Sequence, residues 1–424
     1  MRSITIVGAG QAGLQLGIGL LKHGYNVTLV SNKTADEILN GQITSNQGMF
    51  DTALQYERDL GLNFYESLCP KNESVTFTVA DNCKKAIHWK GFVDKPFQAV
   101  DQRLKFSRWL NEFEALKGNL VIKEVNVSDL DILSKECDLL IIASGKGEIS
   151  QLFERDNEKS FFDKPARSLA CHYVHGMTPI ISNPGICANL IPGIGEYFTM
   201  PGLTISGHCE MMLFEGMPGG EFDCWSNIQN PEEQLEKSLS LLKKYLPWES
   251  ERCQNVNLTD KKATLKGSYT PVIRKPFFKL SNSSRPILGM ADTIVLNDPA
   301  AGQGANNASK GAKLYLDNII LRENKPFDEI WMQDLFNQYW NYAQWATKWT
   351  TILLEPPAPH AIELLVEAMH NQKIANKISN GFNNPADLFP WIEDDALTKK
   401  MIESMKMQSL REEKINHSKI NAVA

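Results

Sequence analysis

The first thirteen residues constrain this chain most. Ser3-Ile4-Thr5-Ile6-Val7 is a short apolar run suited to a buried parallel strand, and it leads into Gly8-Ala9-Gly10-Gln11-Ala12-Gly13, a G-x-G-x-x-G loop. A helical pattern follows in Leu14, Leu16, Ile18, Leu20 and Leu21, Gly24 stops it, and Asn26 to Val30 reads as a second strand. This is the βαβ opening of a doubly wound parallel sheet. In such a loop the first glycine makes the tight turn, the second lets a pyrophosphate approach the backbone, and the third lets helix and strand pack. The helix N-terminus then offers free N–H groups and partial positive charge. Gly8, Gly10, Gln11, Ala12 and Gly13 are therefore candidate dinucleotide-binding residues; the alternative is a glycine turn with no ligand.

Periodicity organises the rest. Helical spacing covers 57–68, 101–116, 231–245, 308–322 and most of 328–410, with breaks at Glu355-Pro356-Pro357 and Asn383-Asn384-Pro385. Strand-like runs cover 74–80, 119–127 and 138–143, and 285–289 returns to the parallel-sheet texture. Between 167 and 270 the segments are short and alternating, punctuated by Pro179, Pro184, Pro192, Pro201 and Pro218, which reads as an inserted antiparallel sheet. The expected organisation is a dinucleotide domain over 1–166 and 271–330, a substrate-binding β-sheet domain over 167–270, and a helical region over 331–424.

A net charge of -6 disfavours nucleic acid and anionic membrane surfaces as partners. Eight cysteines are scattered without C-x-x-C spacing, so no metal site is expected, and they read as buried free thiols of a reducing compartment. No apolar run approaches the roughly 18–20 residues of a membrane span, and the N-terminus lacks the features of a signal peptide. The expected location is cytoplasmic.

A second motif is more specific. Gly289-Met290-Ala291-Asp292 followed by Asp298-Pro299-Ala300-Ala301-Gly302-Gln303-Gly304-Ala305-Asn306-Asn307-Ala308 resembles the G-D…P-x-x-G-Q-G-x-N-x-A pattern of flavin hydroxylases of the p-hydroxybenzoate hydroxylase fold, with Met290 and Ala291 as extra residues. Asp292 can accept from ribityl hydroxyls, and the Gly302–Gly304 backbone can approach the flavin. A helix starting at Ala305-Asn306 favours the negative charge of reduced flavin. Pro299, Gln303 and Val125 join the cofactor-binding candidates. Arg103, near a helix start, is a candidate partner for flavin phosphate or ring, the alternative being a solvated surface arginine. Ser144 and Gly145 resemble the A-T-G that closes such a domain. The second strand ends in Ser31-Asn32-Lys33 where an acid usually holds the ribose. Either Asn32 or main chain takes that role, or the flavin is bound weakly and exchanges.

Some motifs are missing. No second G-x-G-x-x-G exists, and Gly193-Ile194-Gly195 reads as a turn. The Asp-Gly motif of single-component hydroxylases is missing after Ser144-Gly145, which implies a separate reductase. The W-x-W-x-I-P motif of flavin halogenases is missing as well.

Across nearly its whole length the chain resembles the epoxidase component of styrene/indole monooxygenases. The resemblance rests on Ala99-Val100-Asp101-Gln102-Arg103-Leu104, Pro271-Val272-Ile273-Arg274, the 298–308 segment, Ala346-Thr347-Lys348-Trp349-Thr350 and Asn380-Gly381-Phe382-Asn383. It implies FAD used as FADH₂, supplied by a separate NADH:FAD reductase, with O₂ as co-substrate and a C4a-hydroperoxyflavin as oxygen donor to an electron-rich C=C. It implies no side chain acting as acid or base. A homodimer is a candidate assembly that the sequence does not decide. Substrate choice is expected in Gln42, Ser45, Asn46, Gln47 and Met49. Ser45, Gln47 and Met49 resemble the indole-preferring pattern, and Ser45, Asn46 or Gln47 could accept the indole N–H, which costs about 1–3 kcal/mol if buried unpaired. Rival readings are a styrene-preferring epoxidase, a single-component NAD(P)H-dependent hydroxylase, and a non-enzymatic partner-binding protein like GDP-dissociation inhibitors.

Overall fold

The computed structural model describes residues 2–45, 47–145, 147–280 and 285–421. The chain opens with β1 (Ser3–Val7), α1 (Gln11–Lys22), β2 (Asn26–Ser31), α2 (Ala35–Leu39) and α3 (Asp51–Asp59). A hairpin of β3 (Asn72–Asp81) and β4 (Lys84–Phe97) precedes α4 (Gln102–Ala115), β5 (Asn119–Ile122), α5 (Asp129–Lys135), β6 (Leu139–Ile142) and α6 (Glu148–Gln151). Four strands follow: β7 (Ser168–His175), β8 (Gly185–Ile191), β9 (Gly195–Thr204) and β10 (Gly207–Gly216). Next come α7 (Pro231–Tyr245), α8 (Pro247–Arg252), β11 (Asn257–Leu258), β12 (Thr264–Gly267), β13 (Val272–Ile273), β14 (Phe277–Lys279), β15 (Pro286–Gly289) and β16 (Val295–Leu296). The remainder is helical: α9 (Gly304–Arg322), α10 (Glu329–Leu354), α11 (Pro359–Glu367), α12 (Gln372–Gly381) and α13 (Asp395–Asn421).

The first sheet runs β14-β15-β6-β1-β2-β5 and is parallel except for edge strand β14. Its strands read as continuous apolar runs because both faces are covered. Ile4, Ile6, Leu139 and Ile141 pack on one face with Leu14, Leu16 and Ile18 of α1, Trp109 and Phe113 of α4 and Tyr315 of α9. Leu140 and Ile142 face Phe153 and the Phe336–Tyr339 turn of α10 on the other. Full burial of each such side chain is worth about 1.5–3 kcal/mol.

The second sheet runs β11-β7-β10-β9-β8-β3-β4, with β12 also paired to β7. It departs from the sequence expectation twice. It draws β3 and β4 from within 1–166, so a division at 166/167 does not separate the sheets, and β3 pairs with β8 in parallel. The helix expected over 57–68 lies instead at Asp51–Asp59, because Gly61 turns the chain at φ +65° and the apolar residues beyond it, such as Leu62, pack from a loop. The strand expected to reach 127 stops at Ile122, where β2 also ends. All eight cysteines are free, but Cys83 is exposed and Cys224 half-buried. Among the described residues no helix is long and apolar enough to cross a membrane.

Candidate functional site

Two glycine loops lie at the carboxyl edge of the first sheet, where open α/β sheets take their ligands. Gly8 turns at φ +120°, and a Cβ there would meet the Ala143 carbonyl at 2.8 Å. A Cβ on Gly13 would lie 2.0 Å from the Gly8 oxygen, so strand and helix touch through these glycines. Gly10 differs: nothing lies within 4 Å of its added Cβ, and α1 begins there with no side-chain cap, leaving its first N–H groups directed outward. Gln11 and Ala12 are buried in that first turn.

The second loop has the same character. Asp298 caps the 3₁₀ turn Pro299–Ala301 by accepting from the Ala300 N–H at 3.1 Å, and Gly302 closes it at φ +61°. Space is open in front of both Gly302 and Gly304, and α9 starts at Gly304 without a side-chain cap. Ala305 is half-buried in its first turn. Between the loops, Gly145 follows β6, and its absent Cβ makes room for the Asp292 Cβ, which such a group would approach to 2.4 Å. The extra Met290-Ala291 sets Asp292 in a 3₁₀ turn entered through Ala291 at φ +51°, a left-handed conformation that a non-glycine residue adopts at a cost. Asp292 is exposed beside Ser144 and Gly145. Two uncapped helix starts behind open glycines, with an exposed carboxylate between them, fit a dinucleotide such as FAD.

The other cofactor candidates divide. Ser31 is buried and its hydroxyl donates to the Lys33 carbonyl at 2.6 Å, so the exposed Asn32 is the side chain available at the end of β2. Val125 is half-buried beyond the end of β5 rather than on a strand. Arg103 is not a solvated arginine but a buried one held by two carboxylates. It is 2% exposed; its Nε and Nη2 grip Asp101 at 2.9 and 2.8 Å, Nη1 and Nη2 reach Asp260 at 3.0 and 2.9 Å, and Nη1 also reaches the Gly41 carbonyl. All five N–H groups have acceptors within the protein, so none remains for a phosphate. Gln303 is also engaged, donating to the Ala301 and Phe382 carbonyls, yet its Oε1 is buried without a partner.

The segment from Gln42 to Phe50 spans the gap between the second sheet and α9. Gln42 Nε2 donates to the Thr264 carbonyl, and the Tyr173 hydroxyl donates to the Ser45 carbonyl at 2.5 Å. Asn46 lies outside the described residues. Gln47 is buried; its Nε2 donates to the Val100 carbonyl at 3.0 Å and its Oε1 accepts from Gln102. Met49 is bridged to Gln98 through both backbones and packs with Leu54 and Ala305. Asn306 anchors the end of the segment, accepting from Phe50 N–H and donating to the Gly48 and Gly302 carbonyls. Its side chain is therefore a strut, and only its backbone remains for a ligand.

The sequence left open whether Trp349 and the C-terminal helices cover the pocket or only pack in the core. Phe382 stacks on Phe50 at 5.8 Å and meets Trp349 edge-on at 5.6 Å, so the C-terminal helices wall the glycine loop. A buried Lys105–Glu57 pair at 2.5 Å also holds Gln11 through Glu57. Burial, largest, pushes the Glu57 carboxyl up, while Lys105 opposes. No local pattern in the sequence marks these long-range contacts.

Residues 145–252 match the family model described as styrene monooxygenase A putative substrate binding domain. A curated relative, styrene monooxygenase StyA from Pseudomonas fluorescens, is 27% identical over 395 residues, covering 91% of this chain and 93% of its own length. Among solved structures, the flavin-dependent brominase Bmp2 aligns with a TM-score of 0.64 at 12% identity, covering 96% of this chain and 99% of its own. A flavoprotein/dehydrogenase from Cytophaga hutchinsonii aligns at 0.65 and 12%, covering 96% and 100%. The architecture is thus the mixed α/β, p-hydroxybenzoate hydroxylase-like fold of flavin-dependent oxidoreductases, and the chain is similar to styrene monooxygenases along most of its length.

Proposed function

We propose that this styrene-monooxygenase-like flavoprotein is the oxygenase half of a two-component system that epoxidises the 2,3-bond of indole, giving indoxyl and then indigo. The observation that carries the reading is the Asn306 strut, which fastens the Ser45–Met49 segment to the start of α9. Whatever that segment selects is held against the glycine loop.

Reduced FAD, when bound, supplies the electrons that make O₂ an electrophilic oxygen donor. The chain's own residues bind, orient and exclude water. Gly8, Gly10 and Gly13 would take the pyrophosphate, Asn32 the adenosine end, and Asp292 the ribityl chain; the backbone at Gly302, Gly304 and Ala305 would take the ring. Phe50, Phe382 and Trp349 form an apolar wall that keeps the site dry. An alkene needs no proton removed, so positioning is the protein's main contribution. A separate NADH:FAD reductase delivers the reduced cofactor, since the chain has one dinucleotide loop and no Asp-Gly motif.

Styrene is the second reading, favoured by the name of the Pseudomonas relative. Cells expressing this chain with a flavin reductase distinguish the two: blue pigment from indole supports the first, and styrene oxide without pigment supports the second.

A further inference from the structure

Resting on the oxygenase reading, we infer that Asn376 and Asn380 of α12 are positioning residues for oxygen transfer: they fix α12 on the outer edge of β4 in a single register, and that register sets the Phe382 ring on Phe50 beside the glycine loop.

β4 is the last strand of its sheet, so among the described residues the groups on its outer side have no strand partner. Strand geometry turns the groups of every second residue outward, here Lys90, Phe92 and Asp94. α12 meets them from one face. Gln372 Nε2 donates to the Lys90 carbonyl at 2.7 Å, Asn376 Oδ1 accepts the Phe92 N–H at 2.8 Å, and Asn380 Oδ1 accepts the Asp94 N–H at 2.9 Å. Asn380 Nδ2 also reaches the Phe92 carbonyl at 3.3 Å. The rungs match because four residues of helix rise about 6 Å and two residues of strand about 6.6 Å. Helix and strand touch between the rungs at Gly91, where a Cβ would lie 2.2 Å from the Ala375 carbonyl oxygen. A slip of one residue turns the outward groups away, and a slip of two sets Trp89 or Val93 where only glycine fits.

Two residues beyond Asn380 the chain turns, and the turn is bonded to three elements of the site. The Phe382 carbonyl accepts from Gln303 Nε2 at 2.9 Å, the Asn383 carbonyl from Lys310 Nζ at 2.6 Å, and Asn383 Oδ1 from the Thr52 N–H at 3.0 Å. The Phe382 ring packs both in the C-terminal cluster with Trp349 and in the cluster of Ile43, Phe50 and Phe97. The ladder therefore acts on the site through the place it gives Phe382.

The test uses the full chain coupled to a flavin reductase, with indole and with styrene. It reads kcat and KM for oxygenated product, hydrogen peroxide formed per NADH, and affinity for reduced FAD. Asn376→Leu and Asn380→Leu each remove a rung, and Gly91→Ala keeps the amides but lifts the helix. Each variant should hold KM and flavin affinity within about 3-fold and lower kcat for product about 10-fold, the cost of a small misplacement. The electrons from NADH should then reduce O₂ to hydrogen peroxide. Asn376→Asp keeps an acceptor for the Phe92 N–H and should retain the wild-type yield. Asn380→Asp sets a carboxylate against Asp94, which the Asn380 amide contacts at 3.3 Å, and should not. Phe382→Leu should reproduce the loss, and adding Asn376→Leu to it should lower kcat by less than about 2-fold more, as for residues acting through one another. Additive losses in the double variant overturn the inference, as does wild-type yield in both leucine variants. Flavin affinity and kcat falling together, with no rise in peroxide, mark the ladder as structural and overturn it too. A wild type that oxygenates styrene and not indole leaves the ladder to be read on styrene and defeats only the indole reading. A wild type that oxygenates neither defeats both.

Discussion

Asn306 Oδ1 accepts the Phe50 N–H at 2.9 Å while its Nδ2 reaches the Gly48 carbonyl at 2.8 Å, so one fully buried amide joins the proposed substrate segment to the start of α9. Asn306→Ala should strand these backbone groups and lower unfolding free energy by about 2–4 kcal/mol. Because the strut also holds the Gly302 carbonyl, affinity for reduced FAD should fall together with turnover. Urea unfolding and anaerobic flavin titration of the same preparation measure both.

Gly10 and Gly304 separate ligand binding from folding. Each has open space where a side chain would stand. Gly10→Val and Gly304→Val should therefore change stability by less than about 1 kcal/mol, the scale of surface and propensity effects, yet weaken flavin binding at least 10-fold. Unaltered flavin affinity in both variants would mean the cofactor does not lie on these loops.

Arg103 should behave in the opposite way. Removing one partner of a buried pair typically costs about 3–5 kcal/mol, and Arg103 holds Asp101 on β4's outgoing chain and Asp260 before β12. Arg103→Gln should lose stability on that scale, while the fraction that remains folded binds flavin within about 3-fold of wild type. A large loss of flavin affinity with stability intact would restore the phosphate-partner role.

These two cases mark what the sequence could and could not reveal. The βαβ opening, the two glycine loops and the long C-terminal helices are local patterns, so strand, turn and helix chemistry made them legible. Arg103 was not, because nothing near it in the chain announces Asp260, which lies 157 residues away. The β3–β4 hairpin reads as strand from its own alternation, but its place in the second sheet is decided by pairing with β8, a contact across about 110 residues.

Glu215 gives a pH prediction. It is fully buried on β10, opposite Glu196 in register, with neither carboxyl oxygen partnered. Burial, then the charges of Asp298 and Glu196, push its carboxyl well above the ordinary range, against the pull of Arg167. Asp298 is likewise raised by burial, to about 6. A carboxyl raised in the folded state binds its proton more tightly there than in the unfolded chain. Its contribution is complete below the unfolded value near about 4 and is lost as pH rises through the folded value. Glu215's contribution to wild-type stability should thus decline from pH 5 to 8.5. Glu215→Gln should flatten that decline, with a gain of about 1–3 kcal/mol at pH 8.5 relative to wild type. Denaturant midpoints across the pH range provide the check, and parallel curves for the two proteins would show that Glu215 does not titrate this way.

The most direct test of the central claim is a coupled assay with purified chain, a flavin reductase, NADH, FAD, O₂ and equimolar indole and styrene, with oxygenated products quantified against NADH consumed. The account requires no NADH oxidation by the chain alone. With the reductase present, indole-derived product should form in near-stoichiometric yield and in excess of styrene oxide. NADH consumed only to hydrogen peroxide, or oxidised by the chain without a reductase, would contradict it.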